Sequence, residues 1–379
     1  MSTPRHGESG FTLLELLIAV AVMLLVLAGT SQIMSSAMDT SAAARDVLDM
    51  NSHLRAGMDL IQRDLMQVGQ GLPVGRRVGV PNGSGAAPIN RPGPPAQGAC
   101  AGVTTFPDEP SLPAVQVGAG VGPEVNGACT DVITVLAADS MFGPVPLAAM
   151  ATNGSTAIVH NSANISDNPD AAGDNLRAGD LLMLTKGAMS VLLQVTAVAG
   201  QQVTFGSGDP LGLNQLDPSL TIAGTVNQLR ALAPIDPVTP VMASGVQQPG
   251  PTTATRIRMV TYFVDTTTTP GRPRLMRQVG GGQANAVAIG LDGFRLSYDI
   301  ADQNSNPTAV RMDAADLGGS GACSPDPCSS NQIRKVNVLL SMTTRDDNAR
   351  RAFDHGRQAQ NTLFGQVSLR SMAFVDRYR

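Results

Sequence analysis

The chemistry in this chain is concentrated where an apolar run begins. Gly10 is followed by Phe11-Thr12-Leu13-Leu14-Glu15, and of the 19 residues from Phe11 to Gly29 only Glu15 is charged. A backbone cut after Gly10 would leave the apolar run on the mature chain, whereas a secretory signal peptide carries its apolar region ahead of the cut. A carboxylate near the start of a membrane span costs roughly 2.5–3.5 kcal/mol even on the gentler insertion scales. Glu15 is therefore read as a functional residue whose partner must be sought. The plainer alternative is a signal anchor with an incidental glutamate. Against it, Met1 to Gly10 is polar throughout and holds no apolar stretch of its own. Arg5 and His6 precede the span, partly offset by Glu8, so the basic side is expected to face the cytoplasm and the bulk of the chain to be exported.

Two further sets of residues could do chemistry. The four cysteines fall into two local pairs, Cys100 with Cys129 and Cys323 with Cys328. An even count in an exported chain favours disulfides. The rival is a four-cysteine zinc site, which wants Cys-x-x-Cys knuckles that are absent here. Asp302, Asn304 and Asn306 keep the alternate spacing of a calcium loop, and Asp313 falls where its last ligand would sit. Pro307 stands where the sharp-turn glycine belongs and no helices flank the stretch, so a polar surface loop is the favoured reading. His6, His53, His160 and His355 are scattered, and there is no Gly-x-Ser-x-Gly elbow or phosphate-binding loop. Gly280-Gly281-Gly282 lacks the rest of a dinucleotide fingerprint and reads as a turn. The expectation is a chain that is not an enzyme and holds no cofactor.

The Gly10, Phe11 and Glu15 arrangement, with Leu16-Leu17-Ile18-Ala19-Val20 behind it, resembles the class III signal of type IV pilins and type II secretion pseudopilins. The resemblance implies that a prepilin peptidase cuts between Gly10 and Phe11 and methylates the new amine of Phe11. It also implies a partner for Glu15, the cationic amine of Phe11 on a neighbouring subunit. Two charges that are each costly in lipid become tolerable when they neutralise one another. Glu15 then works as a registration device for assembly.

These residues need a long helix to carry them. Phe11 to Gly29 would span roughly 28 Å as a helix, enough for a bilayer's hydrocarbon core. Beyond it, Val47, Leu54, Ile61 and Val68 repeat every seven residues with Met58 and Leu65 between, the seam of a helix that packs along one side. Arg55, Asp59 and Arg63 are spaced by four and support it at the surface. Gly69 and Gly71-Leu72-Pro73 stop it.

The rest of the chain is read as a loop-rich, β-rich body. There are 379 residues with 40 Gly, 26 Pro and no Trp, a net charge of −4 and only two lysines, Lys186 and Lys335. That balance makes no electrostatic case for nucleic acid. Strands are expected at Asp131–Leu136, Asp180–Leu184, Ser190–Thr196 and Gln202–Phe205, with a hairpin turn at Ala199-Gly200 between the last two. More are expected at Arg256–Val264, Leu275–Val279, Leu291–Ile300, Ile333–Thr343 and Phe364–Val375. Phe294, Leu296 and Tyr298 alternate on one face, as in antiparallel sheet with one wet side.

The organisation that follows is a leader at 1–10, a membrane or filament-core helix at 11–29 and its amphipathic continuation at 30–68. A Gly/Pro-rich loop region follows at 69–130 and a β-rich body at 131–379. The fold class is α+β and pilin-like, a long N-terminal hydrophobic helix followed by a C-terminal antiparallel sheet region.

The body is also similar to the PilW-like minor pilins and their J-type pseudopilin relatives. Gln62 to Gly71, Gly179-Asp180-Leu181-Leu182, Gln194-Val195-Thr196 and Arg274-Leu275-Met276-Arg277 carry that likeness, and the length favours the PilW-like branch. The resemblance implies a minor pilin of type IV pilus assembly or initiation. Its partners would be other minor and major pilins, prepilin peptidase, an inner-membrane assembly platform and, before assembly, membrane lipid. It would sit in the inner membrane with its C-terminal region periplasmic, then in the pilus. The alternatives are a type II secretion pseudopilin and a pilus-associated adhesin.

Mass spectrometry of the membrane or filament fraction should find methylated Phe11 at the N-terminus. Gly10→Val should leave an uncut precursor, because the peptidase needs a minimal side chain there. A mature chain that keeps Met1, or starts near Gly29, would contradict this reading.

Overall fold

The computed structural model describes residues 11–73, 75–81, 86–151, 154–159, 176–215, 229, 232, 252–268, 271–300, 308–310, 329–344 and 359–372. The chain divides into two compact units, Met1–Ser52 with Thr343–Gln360, and His53–Met342 with Asn361–Arg379. One helix, α1 (Leu13–Met66), runs through both. Leu, Ala, Met and Val fill its interior, Glu15 lies in its first turn and Arg63 in its last, which suits the helix dipole at both ends. In the first unit its large apolar side chains from Leu13 to Leu27 are exposed.

In the second unit the same helix is docked. Leu54, Met58, Ile61, Leu65 and Val68, the heptad stripe, are all buried. At Gly57 the helix lies close to the sheets, because a Cβ there would lie 3.3 Å from Leu275 and 3.4 Å from Ala288. The helix ends as its glycines dictate. Gly69 and Gly71 take φ of +75° and +68°, conformations a side chain disfavours. At Gly71 a Cβ would also sit 2.5 Å from that of Ala138.

Short pairings open the body: β1 (Arg77–Gly79) with β2 (Ser111–Pro113), then β3 (Val115–Gln116), and the hairpin of β4 (Glu124–Val125) with β5 (Ala128–Cys129). The large sheet adds β6 (Ile133–Ala138), β7 (Val145–Met150), β8 (Thr156–Val159), β9 (Leu181–Lys186), β10 (Met189–Gln194), β11 (Ala197–Ala199) and β12 (Gln202–Thr204). Its spine is β13 (Thr253–Asp265), followed by β14 (Arg274–Val279) and β15 (Asn285–Ile289). The first part of β13 pairs with β9 and β7, and the rest with β6 and β14, all antiparallel. A four-stranded sheet in the order β17 (Thr308–Val310), β16 (Leu291–Ile300), β18 (Ile333–Thr343), β19 (Gln360–Ser368) completes the body. The expected order of one long apolar helix followed by antiparallel sheet is therefore the observed one, α+β.

Three local readings change. Gly200, at φ +58°, does turn the chain, but it joins β11 to β12, while the segment after Ser190 pairs as β10 with β9. The reason is the Gly187-Ala188 turn, which folds β10 back onto β9 first. The last strand ends at Ser368 rather than continuing to Val375, because a turn at Arg370–Met372 carries Met372 into the core against Gly69. Strand β7 escaped the sequence because Pro146 interrupts its pattern.

One polar cluster fastens helix to sheet. The buried Asp64 of α1 accepts a hydrogen bond from the Tyr262 hydroxyl at 2.6 Å and from Arg277 Nε at 2.7 Å, with Arg277 Nη2 on its other oxygen at 3.2 Å. Arg258 stands 3.8 Å away and donates to Gln67 at 3.3 Å. Burial, and after it the Asp64 charge, push the Tyr262 phenol above its usual range, so it remains a donor. The hydrogen bond to Asp64 likewise raises Arg277.

Removing one partner of such a buried pair typically costs about 3–5 kcal/mol, because the other is left uncompensated. Asp64→Ala should therefore destabilise the full chain in detergent by that much, and Asp64→Asn by less, since its amide oxygen still accepts from Tyr262. Denaturant titration followed by circular dichroism measures both, and a loss below about 1 kcal/mol for Asp64→Ala would contradict the assignment.

Candidate functional site

The helix start is built from Phe11, Thr12 and Glu15. Phe11 and Thr12 lie outside the helix, and Phe11 is 81% exposed. Thr12 and Glu15 form a reciprocal cap: Glu15 N donates to Thr12 Oγ1 at 3.3 Å, and Thr12 N donates to Glu15 Oε2 at 3.1 Å. The Thr12 hydroxyl also donates to Oε2, at 3.0 Å. This is the Thr-x-x-Glu capping box, which satisfies orphan donors of the first turn. Both of these contacts fall on Oε2, the oxygen turned back towards the Phe11–Thr12 end. Behind the cap, α1 presents Leu13, Leu14, Leu16, Leu17 and Ile18 to the exterior. The helix is long and apolar enough to cross a membrane.

The second set of site residues lies in the body. Cys100 and Cys129 form a disulfide with their Cα atoms 5.7 Å apart. Cys129 belongs to β5, and its carbonyl accepts from Arg295 of β16. Next to it the buried Asp131 accepts from Gly120 N at 2.7 Å and Leu296 N at 2.6 Å, tying the entry of β6 to β16. Cys100 closes a loop whose base is held by Arg91. The buried Arg91 donates to the carbonyls of Val117 at 3.0 Å and Gln116 at 2.9 Å and to Thr134 Oγ1 at 3.1 Å. Its guanidinium also lies 5.9 Å from the centre of the Phe106 ring. Desolvation lowers the Arg91 pKa to about 10, which still leaves it charged at neutral pH.

Gly10, Cys323, Cys328 and the calcium-loop residues Asp302, Asn304, Asn306 and Asp313 lie outside the described residues. Among the described residues no group of three or more His, Cys, Asp or Glu side chains could hold a metal ion.

Sequence reasoning passed over Asp64, Tyr262, Arg277 and Arg91. Asp64 carried a usable signal, since it falls between Ile61 and Leu65 on the stripe that is buried. A carboxylate at such a position calls for a buried partner. Arg91, set among prolines and glycines, carried none.

Residues 5–31 match the prokaryotic N-terminal methylation motif. The stretch built from Gly10, Phe11 and Glu15 is thus a class III prepilin signal of the type IV pilin and pseudopilin kind, and it implies processing by a prepilin peptidase and assembly with other pilins. Together with the apolar helix it indicates a membrane-anchored chain. No curated protein and no solved structure matches the chain.

The disulfide spans 29 residues of sequence, and on the chain-entropy account a loop of that size is worth roughly 3–4 kcal/mol. Non-reducing peptide mapping of the exported protein should recover Cys100 joined to Cys129. Recovery of Cys100 joined to Cys323 or Cys328 would contradict the local pairing.

Proposed function

We propose that the chain is a minor pilin, a structural subunit that enters or initiates a type IV pilus after prepilin peptidase has removed residues 1–10. The observation that carries this is the conjunction of Gly10, Phe11 and Glu15 with an exposed apolar helix that lipid or other helices must cover. In this reading the helix rests in the inner membrane with the body periplasmic, then packs among the helices of major and minor pilins. Length and the Gln62–Gly71 helix end support the PilW-like branch. The adhesin alternative would add a ligand of the body to the same scaffold.

Glu15 has a local duty in the capping box, and the proposal gives it a second one, pairing with the Phe11 amine of a neighbour. The two duties separate by substitution. Glutamine can still cap, so Glu15→Gln would be nearly silent if capping were the whole role. If the carboxylate pairs between subunits, both Glu15→Gln and Glu15→Leu should insert and be cleaved yet fail to assemble. Breaking a buried pair costs about 3–5 kcal/mol, which lowers an association constant by a factor of roughly a hundred to a few thousand. Co-purification of partner pilins from cells expressing each variant reads this directly. Wild-type recovery with Glu15→Leu would remove the carboxylate from the assembly role.

A further inference from the structure

The Gly/Pro-rich stretch around Arg91 is an ordered flap with a base and a tip. Its limbs form a narrow ladder, in which Arg91 N donates to Thr104 O at 3.0 Å and Phe106 N to Ile89 O at 2.9 Å, with Asn90 bridged to Thr105. The base is anchored without covalent help. Besides the Arg91 guanidinium, Asn90 N donates to Leu211 O at 2.8 Å, and Ile89 and Phe106 are buried.

The tip is held differently. Ala96, Gly98, Ala99 and Ala101 are exposed, and among the described residues the tip is tied to the body by the Cys100–Cys129 bridge and a hydrogen bond between Thr266 and Gln97. Between base and tip, Val103 packs on Val132, Phe263 and Met276. That cluster lies on the far side of the sheet from α1. Tyr262 and Leu275 face the helix, and their neighbours Phe263 and Met276 point the other way because side chains alternate along a strand.

We propose that Pro92–Val103 is a redox-locked flap over the Val132–Phe263–Met276 patch. The base stays docked in either redox state, whereas the tip is fixed by Cys100–Cys129 only where the compartment is oxidising. Reduction of the bridge takes two electrons and two protons and leaves two thiols: a dithiol supplies both and becomes a disulfide, whereas a phosphine supplies the electrons, water the protons, and the phosphine leaves as its oxide. The tip then lifts, an apolar patch is uncovered, and helix and sheets remain folded. Exposed apolar patches of this kind draw partners or cause aggregation, so the lock conceals the patch once the body has been exported.

The test uses the full chain in detergent, oxidised, phosphine-reduced, and as the Cys100→Ser/Cys129→Ser double variant. Peroxide footprinting with mass spectrometry reads methionine access, and limited proteolysis reads the tip. Met276 is the reporter, while Met259 and Met342, buried in the same body, report global unfolding. The expected result is that oxidation of Met276 rises several-fold on reduction and in the double variant, with cleavage confined to residues 95–101 and Met259 and Met342 unchanged. Two results would overturn the proposal. Equal protection of Met276 in all three forms would mean that non-covalent contacts hold the tip. Simultaneous exposure of all three methionines would mean that the bridge staples the whole body.

Discussion

The body depends on one buried carboxylate. Asp64 sits on the face of α1 that meets the sheet, where an unpaired charge would be intolerable, and Tyr262 and Arg277 on adjacent strands resolve it together. Because Tyr262 and Arg277 are cross-strand partners in the β13–β14 register, the cluster fixes helix and hairpin at one point. The apolar stripe around it supplies the area. The polar cluster selects one rotation and one height of helix on sheet, which Leu54, Ile61 and Leu65 alone would specify weakly. Gly57 then permits close approach two turns nearer the N-terminus.

Different rules govern the start of the same helix. There the apolar side chains have no cover among the described residues, and the one carboxylate is turned back onto Thr12. A capping box is ordinary in water, but at the mouth of an apolar span it also hides charge from hydrocarbon by giving it donors. Two of the helix's acids thus meet opposite solutions, Glu15 locally and Asp64 across the fold. In the proposed reading the first stands four residues from the amine that a cut after Gly10 would create.

Much of this was legible beforehand, and the failures have physical causes. The helix was readable because a seven-residue stripe is a long, redundant signal, and Leu291–Ile300 because Phe294, Leu296 and Tyr298 alternate cleanly. The order of strands in the large sheet was not readable, since β13 serves four neighbours and no local pattern encodes that. The Gly187-Ala188 turn was overlooked in favour of Ala199-Gly200, although both offer the positive φ that a tight hairpin needs. The stretch after Gly69 looked irregular because its order comes from Arg91, from Cys100 and from strands of two or three residues, none of which has a period. At the candidate site, residue types announced Gly10, Phe11 and Glu15. The Thr12 contribution needed coordinates, since a threonine becomes a cap only when the helix starts beside it.

The central claim is that the exposed start of α1 is covered by the helices of other pilin-type subunits once the leader has been removed. Site-specific photo-cross-linking from Leu17, which is exposed on that helix, tests it most directly. The account predicts adducts with the N-terminal helices of other proteins bearing class III signals, present in cells with active prepilin peptidase and lost without it. Adducts with lipid alone in peptidase-competent cells would contradict it.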